Sequence, residues 1–308
     1  MRRILGVVLL AAGMVIAAGP AAASGSETRA LVLPGYFYPE SITAAPDGSL
    51  FVSSIATGEM VRFAPGSSDP TPFVGGVNVQ TAGVMVDATR GVLWTCAVDL
   101  FTNTPSELRA FDLENGDRVV ASYTMPGGGL CADITLAGGD VYVTDTLNGQ
   151  IVRLTGTAPG SATGGTFAVW SSDPRFRPPG GAFLGINGIA FDGDQTIYTT
   201  NYSTGELFAV PMGPGGSAAE AVEIALDEPL ANPDGIRWRG AHLYVADNVK
   251  GLLRINPRTG MTKLIDGSLD QPTSLVIVGD GAWVTEGQVL RLPSGQPILP
   301  FRVVWVCL

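Results

Sequence analysis

Beyond about residue 30, apolar residues alternate with small or polar ones at period 2, in short runs broken by Gly, Pro and Asp. That period belongs to half-buried β-strands. One unit recurs six times: an apolar-x-apolar run, a Gly/Asp turn, then an aromatic-bearing run that ends in a polar residue. Its copies begin at Glu40, Ala82, Ala132, Asn187, Asp234 and Thr273, at separations of 42, 50, 55, 47 and 39 residues. Turns such as Asp47-Gly48 and Gly138-Gly139 make the start of each copy a β-hairpin. Third strands are predicted over 60–63, 108–112, 151–154, 206–210 and 251–255. Weaker fourth strands are predicted over 119–124, 166–169 and 222–226. The breaker-free stretch 217–228 is open to a helix, but its centre also alternates at period 2 and is read as strand.

Four strands in roughly 45 residues, repeated six times, is the arithmetic of an all-β fold, a six-bladed β-propeller with four antiparallel strands per blade. Residues 29–33, placed beside 289–292 and 298–304, can complete the last blade. Composition agrees. The chain carries 41 Gly and 22 Pro in 308 residues, too many breakers for a helical bundle or coiled coil. A hydrophobic fraction of 45% excludes a disordered acidic chain. A net charge of −10 argues against a nucleic-acid partner.

The first 23 residues stand apart. Arg2 and Arg3 precede an apolar run, and Ala21, Ala22 and Ala23 supply a small-x-small cleavage pattern. Residues 1–23 therefore read as a secretory signal peptide and 24–308 as the propeller. The apolar run is short for a membrane anchor, which needs about 20 residues. Losing both arginines takes the charge from −10 to −12. The expectation is a secreted or periplasmic monomer with no membrane span after cleavage.

Three cysteines remain for that oxidising setting. Cys96 ends a second strand and Cys131 precedes the neighbouring inner strand, so both fall on one propeller face and can pair. Cys307 is left over.

In a propeller the inner strands start at the top of the central channel. Glu40, Ala82, Ala132, Asn187, Asp234 and Thr273 therefore converge there. Two carboxylates, an amide and a hydroxyl make an oxygen-rich cup of the kind hard cations require. The same residues also fit a hydrogen-bonded polar cap.

The segments Pro39-Glu40-Ser41-Ile42, Ile186-Asn187-Gly188-Ile189 and Asn232-Pro233-Asp234-Gly235-Ile236, each followed by a Tyr- or Phe-bearing second strand, resemble the senescence marker protein/gluconolactonase/luciferin-regenerating-enzyme-like family. The resemblance spans the chain beyond the leader. It implies a divalent cation, Ca²⁺ in particular, held by Glu40, Asn187 and Asp234. It also implies hydrolysis of a small lactone or ester, with Asp234 as the catalytic residue that activates water. The family's fourth ligand is an Asn, and here that position is Ala132. Asp133 follows, but one step along a strand faces the other way. The alternative is a non-catalytic propeller that binds a ligand or protein, with a structural or decayed metal site. Strictosidine synthase is a further propeller likeness, but no motif selects it.

Second strands end on the same face at Asp145, Asn201, Asp247 and Glu286, with Asn148 and Asn248 just beyond. These residues, with Asp133, could line a substrate cup, or cap turns through nearby backbone. The insertion 170–184, with Arg175 and Arg177, enters directly at Asn187 and is a candidate lid; 99–105 is a smaller one. His242 sits in a turn on the opposite face, which excludes a Ser-His-Asp triad at the cup. No nucleophile elbow, zincin motif or phosphate loop is present, and Asp192-Gly193-Asp194 reads as a turn.

Overall fold

The computed structural model describes residues 29–75, 80–102, 104–158 and 160–308, and the expected leader at 1–23 lies outside them. Among the described residues, 24 strands form six four-stranded antiparallel sheets. Blade 1 is β2 (Pro39–Ala44), β3 (Leu50–Ser54), β4 (Met60–Phe63) and β5 (Pro70–Val74). Blade 2 is β6 (Gln80–Asp87), β7 (Val92–Val98), β8 (Glu107–Asp112) and β9 (Val119–Thr124). Blade 3 is β10 (Cys131–Ala137), β11 (Asp140–Asp145), β12 (Gln150–Thr155) and β13 (Thr166–Ser172). Blade 4 is β14 (Ile186–Phe191), β15 (Thr196–Asn201), β16 (Leu207–Pro211) and β17 (Val222–Ile224). Blade 5 is β18 (Pro233–Arg239), β19 (His242–Asp247), β20 (Gly251–Ile255) and β21 (Thr262–Asp266).

Blade 6 closes the ring. Its strands β22 (Pro272–Val278), β23 (Gly281–Glu286) and β24 (Arg302–Cys307) take their outer partner, β1 (Ala30–Val32), from the other end of the chain. Successive inner strands touch one another, and β22 touches β2. Closure of this kind leaves few exposed sheet edges.

Two expectations about blade 6 fail. Of 298–304 only 302–304 are strand, within β24, and 298–301 are not. Residues 289–292 are not strand but part of a 3₁₀ turn, Val289–Ser294. Gln288 enters it and Gly295 leaves it with left-handed backbone, and Pro293 within it has no N–H for a sheet ladder. The segment crosses the mouth of the channel instead. The ambiguous stretch 217–228 carries strand β17, as its period-2 centre implied.

All six inner strands share a register shift near their start, between Pro39/Ile42, Thr81/Val84, Cys131/Ile134, Ile186/Ile189, Pro233/Ile236 and Pro272/Leu275. The bulge leaves backbone groups outside the ladder. In blades 1, 3 and 6 second-strand hydroxyls satisfy them. The Ser41 N–H donates to Ser53 Oγ (3.0 Å), Asp133 N–H to Thr144 Oγ1 (3.0 Å) and Ser274 N–H to Thr285 Oγ1 (2.9 Å). The hydroxyl just before the end of the second strand thus serves the bulge in these three blades.

The bulge also draws neighbouring blades close. A Cβ on Gly188 would stand 2.1 Å from the Asp234 carbonyl oxygen, so only glycine fits there. Second-strand aromatics Phe51, Trp94, Tyr142, Tyr198, Tyr244 and Trp283 are buried. Tyr198 stacks on Trp238, and Trp283 meets Trp305 edge-on. Cys96 and Cys131 form a disulfide between blades 2 and 3, and Cys307 is free and exposed. No helix among the described residues is long and apolar enough to cross a membrane.

Candidate functional site

In five of the six inner strands the first bulge residue points toward the top of the channel. Glu40, Ala82, Ala132, Asn187 and Asp234 line one cavity there, of about 560 Å³. Thr273, the sixth, turns away and bonds the Pro39 carbonyl (3.0 Å) and Thr285 Oγ1 (2.8 Å). Ala82 and Ala132 bring only methyl groups.

The polar floor is ordered by amides. Asn187 Nδ2 donates to Asp234 Oδ1 (3.0 Å), and Asn248 Nδ2 donates to Asp234 Oδ2 (3.1 Å). Tyr202 Oη donates to Asn248 Oδ1 (2.7 Å), which fixes the orientation of that amide. Burial pushes Asp234 up to about 8, and the nearby Asp133 and Asp247 push the same way, against the two amides. Burial also holds the Glu40 carboxyl well above the usual range, helped by repulsion from Asp234 and Asp133. Desolvation raises the Tyr202 phenol too.

Beneath this floor lies an ion pair. Arg237 Nη1 donates to Asp133 Oδ2 (2.8 Å), linking blade 5 to blade 3 across the channel. Asp133 also accepts the Ile134 N–H (2.9 Å) and the Ile189 N–H (3.3 Å). Asp133 thus faces away from the cavity, and its charge is committed to Arg237. Arg237 lowers the Glu40 pKa but does not overcome burial.

The remaining expected cup residues are not in the cavity wall. Asp145 caps a turn, accepting from Leu130 N–H (3.0 Å), Asn148 N–H (3.2 Å) and Gln150 Nε2 (2.8 Å). Asp247 accepts from the Ala231, Val249 and Lys250 N–H groups (2.8, 3.0 and 3.0 Å). Asn201 accepts from Ser203 N–H (3.0 Å) and donates to the Arg175 carbonyl (2.9 Å). Glu286 accepts from Arg302 Nε (2.7 Å). Second strands end where the next turn leaves backbone N–H groups unpaired, and these side chains supply the acceptors.

Arg175 and Arg177 also miss the cavity. Arg175 pairs with Asp173 (2.6 Å) and lies over the Phe208 ring (5.2 Å). Arg177 packs beside Gly149 and is exposed. The insertion still reaches the site through its tip, since Ala182, Phe183 and Leu184 form part of the wall. Leu100 does the same for the smaller loop, and Val289, Leu290, Leu292 and Pro293 for the 3₁₀ turn. His242, paired with Arg239 in the β18–β19 hairpin, is at the opposite end of the channel.

A cation would find hard oxygens here: the Glu40 carboxylate, one Asp234 oxygen and the Asn187 carbonyl oxygen. Among the described residues, no hydrogen-bond donor helps to hold the Glu40 charge. Two carboxylates raised by burial and by neighbouring carboxylates are the imbalance a divalent ion relieves. The donor set therefore fits a hard cation, although no cluster of three or more Asp, Glu, His or Cys is present among the described residues. Ala132 leaves one side of that set to solvent.

Tyr202, Asn248 and Arg237 complete the site. Arg237 had a signal in the sequence. It occupies a position where the other inner strands carry Thr43, Met85, Thr135, Ala190 and Val276. Asp133 likewise stands where they carry Ser41, Gly83, Gly188, Gly235 and Ser274. The two departures from the repeat are each other's partners.

No family model matches the chain, and no curated protein matches it in sequence. Solved structures do. A structural-genomics protein described as a gluconolactonase is 13% identical at TM-score 0.65, covering 92% of this chain and 93% of its own. The PQQ-bound aldose sugar dehydrogenase of Streptomyces coelicolor is 18% identical at TM-score 0.62, with 91% and 98% covered. A catalytically inactive His-to-Ala variant of Staphylococcus aureus virginiamycin B lyase with quinupristin is 13% identical at TM-score 0.59, with 92% and 99% covered. At these identities the likeness shows the propeller fold.

Proposed function

We propose that this chain is an exported propeller enzyme that hydrolyses a small lactone or ester with the help of a divalent cation, Ca²⁺, at the top of its channel. The observation that carries the reading is the convergence of Glu40 and Asp234, beside Asn187, on the floor of one open cavity. Glu40, Asn187 and Asp234 would hold the ion, with solvent at the side of Ala132. When bound, the cation would polarise the substrate carbonyl as a Lewis acid and draw the Asp234 pKa down toward the carboxylate range.

The side chains define the remaining steps. Asn187 and Asn248 hold both Asp234 oxygens, so the carboxylate has one orientation toward the cavity. As a base it takes a proton from water while the water oxygen bonds to the carbonyl carbon. The bond from that carbon to the ring or ester oxygen then breaks, and the proton passes to the departing oxygen. The product is a hydroxy acid, or an acid and an alcohol. Histidine chemistry like that implied by the inactive lyase variant has no counterpart, because His242 is at the other end of the channel.

The test is hydrolysis of a lactone and ester panel by the purified protein with Ca²⁺, with chelator, and as Asp234→Asn. Activity should fall at least 100-fold in both the chelated and substituted forms. Activity indifferent to both changes would sink the metal-hydrolase reading.

A second reading, a binding propeller without catalysis, has one observation in its favour. Both Asp234 oxygens are already satisfied by amides, and Ala132 offers no ligand. On that reading Ala132→Asn restores metal affinity without conferring hydrolysis.

A further inference from the structure

The wall of the cavity differs sharply from its floor. Ile55, Val98, Leu100, Leu130, Phe183 and Leu290 are representative of it. Among the described residues, three hydroxyl-bearing ones interrupt this surface, and all are engaged within the protein. Thr146 Oγ1 accepts the Gly185 N–H (2.9 Å), Ser203 Oγ donates to the Leu184 carbonyl (2.6 Å), and Tyr202 Oη donates to Asn248 (2.7 Å). The wall therefore offers little to a polyhydroxylated ligand. Each sugar hydroxyl stranded against it would weaken binding by about tenfold or more, because its hydrogen bonds to water are not replaced.

The apolar character continues outward. Phe101 is 85% exposed, Phe183 56% and Leu290 50%, on three separate loops around the mouth. Phe183 and Leu290 belong at once to the wall and to the exposed rim. A volume of about 560 Å³ lies within the range of small-ligand sites. The polar floor and greasy wall fix the polarity of an occupant from one end to the other.

We infer that the cup selects an amphiphile: a lactone or ester head on the Glu40–Asn187–Asp234 floor, and an unbranched alkyl or acyl tail along the Leu100, Phe183 and Leu290 wall. The choice of head rests on the hydrolase reading, whereas the choice of tail rests on the wall alone.

Two measurements separate these parts. The first is kcat/KM along γ-lactones of increasing side-chain length, from γ-valerolactone to γ-dodecalactone, with gluconolactone as the hydroxylated comparison. Each buried methylene should raise kcat/KM by about three- to fourfold until the wall is filled, and gluconolactone should be a poor substrate. The second is equilibrium displacement of the fluorophore N-phenyl-1-naphthylamine by n-alkanols, which cannot be hydrolysed. Displacement should strengthen with chain length by a similar factor. Leu290→Asn and Phe183→Ser, at exposed positions of the wall, should weaken long alkanols about tenfold and short ones far less.

Chain-length-dependent displacement without hydrolysis would remove the enzyme reading and keep the apolar site. Displacement independent of chain length, or a preference for gluconolactone, would overturn the inference itself.

Discussion

Burial holds both Asp234 and Glu40 above the ordinary carboxylate range. Without a cation, Asp234 titrates at about 8 in the fold against 3.8 for the free side chain. The folded state therefore binds more protons than the unfolded state between those values, and stability falls as pH rises through that window. In chelator, the melting temperature should drop between pH 5 and pH 8 by more than in Asp234→Asn, a comparison thermal denaturation makes directly. Among the described residues, Arg237 is the cation that faces this group of carboxylates. Its pair with Asp133 is buried, so Arg237→Met leaves an uncompensated carboxylate and should cost about 3–5 kcal/mol by chemical denaturation. The double variant Arg237→Met/Asp133→Asn should recover much of that loss.

At the scale of strands and turns, the bulge explains both closeness and shape at the site. Gly188→Ala would drive a methyl into the Asp234 carbonyl and should cost about 1–3 kcal/mol while disturbing the floor it supports. The Cys96–Cys131 bridge, 35 residues apart in sequence, joins two blades at the cavity edge. Replacing both cysteines with alanine should lower stability by about 4 kcal/mol in denaturant melts on the chain-entropy account.

Hairpins were legible in the chain because their alternation and turn residues are local. The segment 289–292 was not, since a short apolar run reads equally as strand or turn until Gln288, Pro293 and Gly295 are placed. Asp145, Asn201 and Asp247 were legible as top-face residues. Whether such a side chain faces the cavity or its own turn depends on which turn N–H groups are left unpaired, which spacing does not encode.

For the whole molecule, the propeller accounts for the glycine and proline excess and for the meeting of Glu40, Asn187 and Asp234, drawn from blades 1, 4 and 5. Their convergence was legible once the repeat was counted, because every inner strand begins at the same end. The Asp133–Arg237 pair was not, because it joins residues 104 apart whose contact needs the ring to be closed. Closure depends on β1, and Leu31 and Leu33 are buried where it pairs with β24. A chain starting after residue 33 would leave β24 as an open edge. It should melt at a lower temperature and aggregate, as light scattering during heating would show.

A divalent cation on the floor of the cup is tested by isothermal titration of Ca²⁺ into metal-free protein at pH 8, alongside Glu40→Gln and Asp234→Asn. One saturable site is expected in the unsubstituted protein, weakened at least tenfold in each variant. Binding that is absent, or undiminished by both substitutions, would rule the cation site out.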